Sequence, residues 1–231
     1  MENNTGETGL LYKAVIFDMD GTLIDSIQAD FLAWQKLFAD YKKTLSFENY
    51  IPLLGIKSAE VAQEFLCINN EDELRMALAN KLLYFKEVIS EKGIFPVPYA
   101  NIFLKQVRQL KNIKIALATS SRKAKMEMVM KEVGLLDYFD VIVTAEDVTK
   151  GKPAPDIFIR TAEKLSVSPA DCIVFEDAIN GVKAAKNACM KCVALASPQS
   201  AGLLSEADYI IYTFKDLNFS ELCHQLKNDI D

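Results

Sequence analysis

The 231-residue chain contains a single histidine, His224, and its five cysteines lack the spacing of a disulfide scaffold. Cys189 and Cys192 form a C-x-x-C pair, but no further metal ligands lie near it in the sequence. The pair also does not open a predicted helix, as a redox motif of this type does. We therefore interpret the cysteines as reduced thiols and expect a cytoplasmic protein without a zinc site.

The chain also lacks a long apolar run and an excess of positive charge. No run approaches the ~18 apolar residues that span a bilayer, and residues 1–9 lack the features of a secretory signal. The net charge is −6, so we expect neither nucleic acid nor a membrane as partner. An anionic small substrate would need a locally positive pocket. The length suits one sizeable domain or two small ones, and we expect a monomer or weak dimer.

What is present is an alternation of short apolar runs with amphipathic segments, most clearly after residue 98. The predicted strands are residues 13–17, 113–119, 141–144, 172–175, 192–196 and 209–212. The predicted helices are residues 99–110, 123–133, 156–165, 179–188 and a short one near Glu221. This order predicts an α/β fold with a Rossmann-like parallel sheet covered on both faces. Residues 1–10 are expected to form a disordered leader.

The segment between the first predicted strand and residue 98 has a helical period and almost no strand signal. Aromatic residues recur there at three- and four-residue spacing, at Phe31, Trp34, Phe38 and Tyr41. Further apolar residues with this period follow up to Ile89, and Gly93 then breaks the pattern. We therefore predict a small α-helical cap domain at residues 26–97. It is inserted into a core made of residues 1–25 and 98–231.

Polar side chains follow the predicted strands at their carboxyl ends, which in a parallel sheet meet at one edge. Asp18 and Asp20 follow the first strand and, being two residues apart, point to the same side. The other residues at such positions are Thr119, Ser120, Glu146, Asp147, Lys152, Glu176 and Asp177. We expect this set to converge on one crevice.

Carboxylates this close repel one another unless a cation or a proton lies between them. An oxygen-rich set of this kind suits Mg²⁺ rather than zinc. The hydroxyls of Thr119 and Ser120, together with Lys152, would hold the oxygens of a phosphoryl group near a helix start. In this hypothesis Asp18 attacks phosphorus, while Asp20 protonates the leaving oxygen and later takes a proton from water.

Other interpretations of the same motifs fit less well. An EF-hand loop also begins D-x-D, but it needs glycine at position six and glutamate at position twelve, which here is Ala29. Gly151 and Lys152 do not form a P-loop, because Pro153 follows instead of Ser or Thr. Each polar residue alone is more typical of a solvated loop or a helix cap. Only their order at successive strand ends indicates a site.

In this order the motifs strongly resemble those of the haloacid dehalogenase-like (HAD) superfamily. The matching segments are residues 15–23, 116–119, 151–156 and 174–177. The resemblance covers residues 12–196 and implies Mg²⁺ dependence and a phospho-aspartate intermediate. It also implies a metal site formed by Asp18, Asp20 (through its backbone carbonyl), Glu176 and Asp177. The second acid and the helical cap are similar to the branch that contains β-phosphoglucomutase and sugar-phosphate phosphatases.

The predicted cap departs from that branch at two positions. Asp30 stands where these enzymes commonly carry a histidine, and Ser58 where they carry an arginine that grips a distal phosphate. Loss of that arginine fork weakens the hold on a second phosphate, which favours hydrolysis over mutase chemistry. Asp30, Lys57 and Lys81 are the cap residues that we expect to contact substrate.

The sequence therefore predicts a Mg²⁺-dependent phosphatase that acts on a small phosphorylated metabolite such as a sugar phosphate. The first alternative is a phosphosugar mutase of the β-phosphoglucomutase type. A non-catalytic binding protein on the same scaffold is the third interpretation, and it would turn over no phosphate ester.

Overall fold

A computed structural model describes residues 12–197 and 200–228 of the chain, so the predicted leader at residues 1–10 lies outside the described residues. Within the described ranges, six parallel strands form one sheet in the order β3-β2-β1-β4-β5-β6. The strands are β1 (Ala14–Phe17), β2 (Lys114–Ala118), β3 (Val141–Val143), β4 (Cys172–Glu176), β5 (Lys191–Leu195) and β6 (Tyr209–Ile211). The predicted α/β fold with a parallel sheet is confirmed.

Helices lie between the strands and fill the long connection after β1. They are α1 (Ile27–Asp40), α2 (Phe47–Tyr50), α3 (Ser58–Leu66), α4 (Glu71–Lys92), α5 (Ala100–Arg108), α6 (Lys123–Glu132), α7 (Asp156–Leu165), α8 (Ile179–Asn187) and α9 (Phe219–Asn228). None of these described helices combines the length and the apolar character needed to cross a membrane. The predicted boundaries differ from the observed ones by one to a few residues, as expected where helix ends fray.

The central strand β1 is buried along its whole length because it pairs with β2 on one side and β4 on the other. Its side chains alternate between the two faces of the sheet. Phe17 packs with Phe103 and Phe175 on one face, at ring-centroid distances of 6.2 and 5.0 Å. Ile16 belongs to the apolar cluster on the other face, with Phe158 of α7. The sheet therefore has a hydrophobic core on each side.

The pairing continues just past the strands and fixes the edge where polar residues collect. The Asp18 amide donates to the Phe175 carbonyl at 3.0 Å, and the Thr119 amide donates to the Val143 carbonyl at 3.0 Å. Because all neighbouring strands are parallel, the residues that follow β1, β2 and β4 come out at the same edge.

The helices α1 to α4 form what we call the helical insertion, residues 27–92. It has its own apolar cluster, which includes Trp34 and Leu37 from α1 and Leu66 from α3. On the outside, α1 and α4 are joined by a salt bridge of 2.8 Å between Lys36 and Glu87. The four-residue helix α2 was not predicted, because a helix of one turn is too short to show a period.

Candidate active site

Carboxylates from two strand ends meet at the carboxyl edge of the sheet. Among the described residues, Asp18, Glu176 and Asp177 each place a carboxylate oxygen within 4.8 Å of the other two. We call these residues the acidic cluster. Lys152 lies fully buried beside it and donates to Asp18 Oδ1 at 2.6 Å and to Glu176 Oε1 at 2.5 Å. The structure thus brings together residues from three separate segments of the sequence, Asp18, Lys152 and the adjacent pair Glu176 and Asp177.

The acidic cluster carries more negative charge than the Lys152 ammonium can balance. Burial raises the pKa of Asp18 from 3.8 to about 8, with Glu176 adding to the rise and Lys152 opposing it. Burial and the neighbouring Glu176 and Asp18 raise the pKa of Asp177 well above its usual value. Burial alone would lower the pKa of Lys152, but Asp18 and Glu176 outweigh it and hold the pKa above its ordinary value. The cluster therefore retains a proton or attracts a cation.

The turn after Asp20 is shaped by its contact with Asp177. Gly21 has a φ of +89°, and a Cβ there would lie 2.0 Å from Asp177 Oδ2. Only glycine fits that position, because it tolerates the backbone conformation and leaves room for the carboxylate. The next residue, Thr22, donates its hydroxyl to Asp177 Oδ1 at 2.9 Å. Gly21 and Thr22 thus position Asp177, which directly follows β4.

The ligand atoms available in the acidic cluster fit Mg²⁺. They are carboxylate oxygens, which are the ligands that hard divalent cations prefer. A divalent cation would also relieve the repulsion that raises the pKa values of Asp18 and Asp177. The donor set and its charge therefore agree with the predicted cofactor.

The second predicted acid, Asp20, is held by hydroxyl and ammonium donors. Its Oδ1 accepts from Ser26 Oγ at 2.5 Å and from Lys125 Nζ at 2.8 Å, and its Oδ2 accepts from Ser121 Oγ at 2.6 Å. Together these donors fix the position of the Asp20 carboxylate. Sequence reasoning missed all three. The available signal was the position of Ser121 and Lys125, one helical turn apart directly after the Thr119 strand end.

Asp30 of α1 lies above Asp20 in a buried charge network. It accepts from Lys125 at 2.8 Å, from Lys81 at 2.9 Å and from the Tyr50 hydroxyl at 3.0 Å. Burial alone would raise the pKa of Asp30, but Lys125 and Lys81 outweigh it and hold the pKa below its usual range. Lys125, on α6, thus joins the predicted acid and base Asp20 to the helical insertion.

An inner cavity of about 50 Å³ lies between the sheet edge and the helical insertion. The polar residues that line it include Asp18, Asp20, Asp30, Tyr50, Ser58, Lys81, Thr119, Ser120, Ser121 and Lys125. The predicted phosphate ligands Thr119 and Ser120 are both in this lining, as are the predicted cap residues Asp30 and Lys81.

The hydroxyls of the two predicted phosphate ligands already have partners inside the protein. Thr119 Oγ1 accepts from the Ser121 amide at 3.0 Å. Ser120 Oγ donates to the Gly55 carbonyl at 2.5 Å, so it contacts the helical insertion. A phosphate would compete with the Gly55 carbonyl for the Ser120 proton, whereas the Thr119 hydroxyl accepts in its internal contact and can still donate to a phosphate.

Other predicted residues are not brought to the inner cavity. Lys57 turns away and donates to the Val148 and Thr149 carbonyls at 2.9 and 3.3 Å. The expectation that Glu146 and Asp147 join the crevice is wrong. Glu146 pairs with Arg122 at 3.1 Å on the surface, and Asp147 caps the short helical turn that follows β3. A capping carboxylate is engaged with the backbone and cannot turn towards the site.

The sequence of this chain is similar to a known protein family and to known enzymes. A model of the family described as haloacid dehalogenase-like hydrolase matches residues 12–188. The chain is 32% identical over 183 residues to the fructose-1-phosphate phosphatase YqaB of Escherichia coli (strain K12), covering 79% of this chain and 95% of that protein. It is 34% identical over 220 residues to the beta-phosphoglucomutase of Bacillus subtilis (strain 168), covering 92% and 94%.

Solved structures show the same likeness. The crystal structure of beta-phosphoglucomutase from Clostridium difficile matches with a TM-score of 0.83 and 28% sequence identity. The match covers 95% of this chain and 99% of that chain.

Proposed function

Because the chain belongs to the haloacid dehalogenase-like hydrolase family, we propose that it is a Mg²⁺-dependent phosphatase of small phosphorylated metabolites. The observation that carries this proposal is the buried contact of Lys152 with Asp18 at 2.6 Å beside the acidic cluster. The similarity to a fructose-1-phosphate phosphatase supports a sugar phosphate as the substrate class. The family and the site agree on phosphoryl transfer.

In the proposed first step Asp18 acts as the nucleophile. One of its carboxylate oxygens accepts from Lys152, and the other attacks phosphorus and forms an aspartyl-phosphate. The bond from phosphorus to the leaving oxygen breaks, and that oxygen takes a proton from Asp20. Lys152 stabilises the negative charge on the phosphoryl oxygens as they pass between the two groups.

In the proposed second step Asp20 acts as the base. It takes a proton from a water molecule that attacks phosphorus, which releases inorganic phosphate and regenerates the Asp18 carboxylate. The observed contacts of Asp20 with Lys125, Ser121 and Ser26 hold the side chain in place for this step. In the first step the protonated Asp20 carboxyl would donate to the leaving oxygen, and this contact would replace one of those three contacts.

The acidic cluster would hold the magnesium ion, with the Asp20 backbone carbonyl as a further ligand. Bound there, Mg²⁺ would offset the repulsion between the Asp18 carboxylate and an anionic phosphate ester. Lys152 balances part of the same charge, but it leaves the acidic cluster negative. Activity should therefore depend on the metal.

We also propose that residues 26–97 act as a cap domain that moves relative to a core of residues 1–25 and 98–231. The inner cavity measures about 50 Å³, which is enough for only a few water molecules. A sugar phosphate needs more space, so substrate entry requires the helical insertion to shift away from the sheet edge. The chain crosses between the two units near Ser26 and Pro98, where we place the hinges.

A phosphosugar mutase is the second candidate, favoured by the 34% identity to a beta-phosphoglucomutase. A mutase must hold a second phosphate while the intermediate turns round. Ser58, which lines the inner cavity, offers a hydroxyl where related mutases carry an arginine. A serine cannot make the bidentate contact of an arginine, so we favour hydrolysis.

A panel of phosphate esters, assayed for released phosphate with and without Mg²⁺, tests the proposal. We expect Mg²⁺-dependent release of phosphate from at least one sugar phosphate and from p-nitrophenyl phosphate. Incubation with β-glucose 1-phosphate and a bisphosphate primer separates the candidates, because a mutase would form glucose 6-phosphate instead. Absence of any turnover in the panel would favour the non-catalytic binding protein.

A further inference from the structure

The first turn of α3 in the helical insertion holds the loop that precedes Lys152. Lys57 donates to the carbonyls of Val148 and Thr149, at 2.9 and 3.3 Å. Glu60 accepts from the Gly151 amide at 2.9 Å. We call residues 148–151 the lysine loop. Lys57 is the N-cap residue of α3 and Glu60 lies in its first turn, so both reach the lysine loop from the same end of the helix.

The surroundings of Gly151 show that Lys57 and Glu60 pack closely against the lysine loop. It is buried, and a Cβ there would lie 2.6 Å from Lys57 Cγ and 2.9 Å from the Glu60 carboxylate oxygens. Any other residue would therefore displace the Lys57 and Glu60 side chains from these positions. Glycine at this position therefore allows the helical insertion to reach the backbone next to Lys152.

Lys152 directly follows the lysine loop in the sequence. Its side chain is fully buried, with Nζ at 2.6 Å from Asp18 and 2.5 Å from Glu176. Thr149 and Lys150, in contrast, are exposed loop residues. A loop gains precision when a rigid element fixes its backbone, and α3 is such an element here.

We propose that Lys57 and Glu60 are positioning residues for Lys152, which they set against the phosphoryl group when the helical insertion is docked on the core. This inference rests on the proposed function, because it assumes that Lys152 binds the transferred phosphoryl group. It gives Lys57 a role other than the substrate contact predicted from the sequence. The Lys57 amine already donates to two backbone carbonyls of the lysine loop.

The test compares Glu60→Ala, Lys57→Met and Gly151→Ala with wild type, with p-nitrophenyl phosphate and Mg²⁺ as the probe. We expect kcat to fall about 10- to 100-fold in each variant, because lost hydrogen bonds and a shift of about 1 Å at a reacting group have effects of this size. Fructose 1-phosphate should show the same loss if it is a substrate, because both esters share the phosphoryl group.

Conservative variants and a matched pair serve as controls. Glu60→Gln keeps an acceptor for the Gly151 amide and Lys57→Arg keeps donors for the carbonyls, so both should retain most of the activity. The Lys36 and Glu87 salt bridge lies within the helical insertion and away from the lysine loop. Lys36→Met and Glu87→Gln should therefore leave kcat unchanged.

Two further measurements separate positioning from a purely structural role. In a Lys152→Met background, Glu60→Ala should have almost no additional effect on kcat, because the residue that it positions is gone. Independently of activity, Glu60→Ala should speed hydrogen exchange of the Gly151 amide, while amides of β1 keep their protection.

The outcomes distinguish this inference from the function on which it rests. A wild-type protein that hydrolyses no ester overturns the proposed function. An active wild type with an unchanged kcat in Glu60→Ala and Lys57→Met overturns the positioning role alone. A loss confined to fructose 1-phosphate would instead make these residues substrate contacts and would also overturn it.

Discussion

The Asp18→Asn substitution should change stability and activity in opposite directions. Asp18 lies in the acidic cluster, where Lys152 balances one of three carboxylate charges. Asparagine has a similar shape and can still accept a hydrogen bond from Lys152, but it carries no charge. The substitution should therefore relieve repulsion in the metal-free protein and remove the nucleophile.

The size of the stability change follows from the raised pKa of Asp18. A carboxyl whose pKa rises from 3.8 to about 8 on folding binds a proton more tightly in the folded state. Asp18 therefore lowers the free energy of unfolding as pH rises from the lower pKa to the higher one, by about 4 kcal/mol at pH 7. Because neighbouring groups share this cost, we expect Asp18→Asn to raise the free energy of unfolding by about 1–4 kcal/mol.

Thermal unfolding at pH 7 without divalent cations measures the stability, and release of phosphate from p-nitrophenyl phosphate measures the activity. The midpoint of thermal unfolding should rise by about 3–12 °C, while turnover with Mg²⁺ falls by at least about 10³-fold. Asp137→Asn, at an exposed carboxylate, is the matched control and should change neither quantity. A destabilised Asp18→Asn variant, or one with substantial remaining turnover, would refute this reasoning.

Three other perturbations have defined outcomes. Asp20→Ala should slow hydrolysis of alkyl phosphates more than that of p-nitrophenyl phosphate, because an activated leaving group needs little acid help; equal losses in kcat would contradict the acid role. Mg²⁺ should raise the thermal midpoint more at pH 8.5 than at pH 6, because it displaces protons from Asp18 and Asp177, whose pKa values are raised; a shift independent of pH would argue against metal binding there. Lys125→Met should lower the free energy of unfolding by about 3 kcal/mol, because it leaves buried carboxylates without their shared ammonium, whereas exposed Lys123→Met should change it by less than about 0.5 kcal/mol.

The sheet and the acidic cluster could be predicted because they depend on local patterns with one geometric consequence. Short apolar runs define the strands, and parallel strands bring their carboxyl ends to one edge. Asp18, Lys152 and Asp177 follow from that rule, although they lie far apart along the chain. The same rule failed for Glu146, because β3 is followed by a helical turn that carries this residue to the surface.

The charge network above the acidic cluster could not be predicted in this way. Lys125 resembles any solvated lysine on an amphipathic helix, and its burial depends on how α6 meets the helical insertion. Lys57 was expected to face substrate, since it lies beside Ser58 in the predicted cap. Its contact with the lysine loop requires the packing of α3 against a loop about 90 residues later in the chain, which no local pattern specifies.

Chemical trapping of the intermediate tests the central claim most directly. The protein is incubated with Mg²⁺ and a phosphate ester that it hydrolyses, and the reaction is stopped with acid. The product is then treated with borohydride, which reduces an acyl phosphate to an alcohol. Peptide mass spectrometry should then find homoserine in place of aspartate at residue 18 and unmodified aspartate at residue 20. Turnover without any reduction product at Asp18, or with the product at another carboxylate, would contradict the role of Asp18 as the nucleophile.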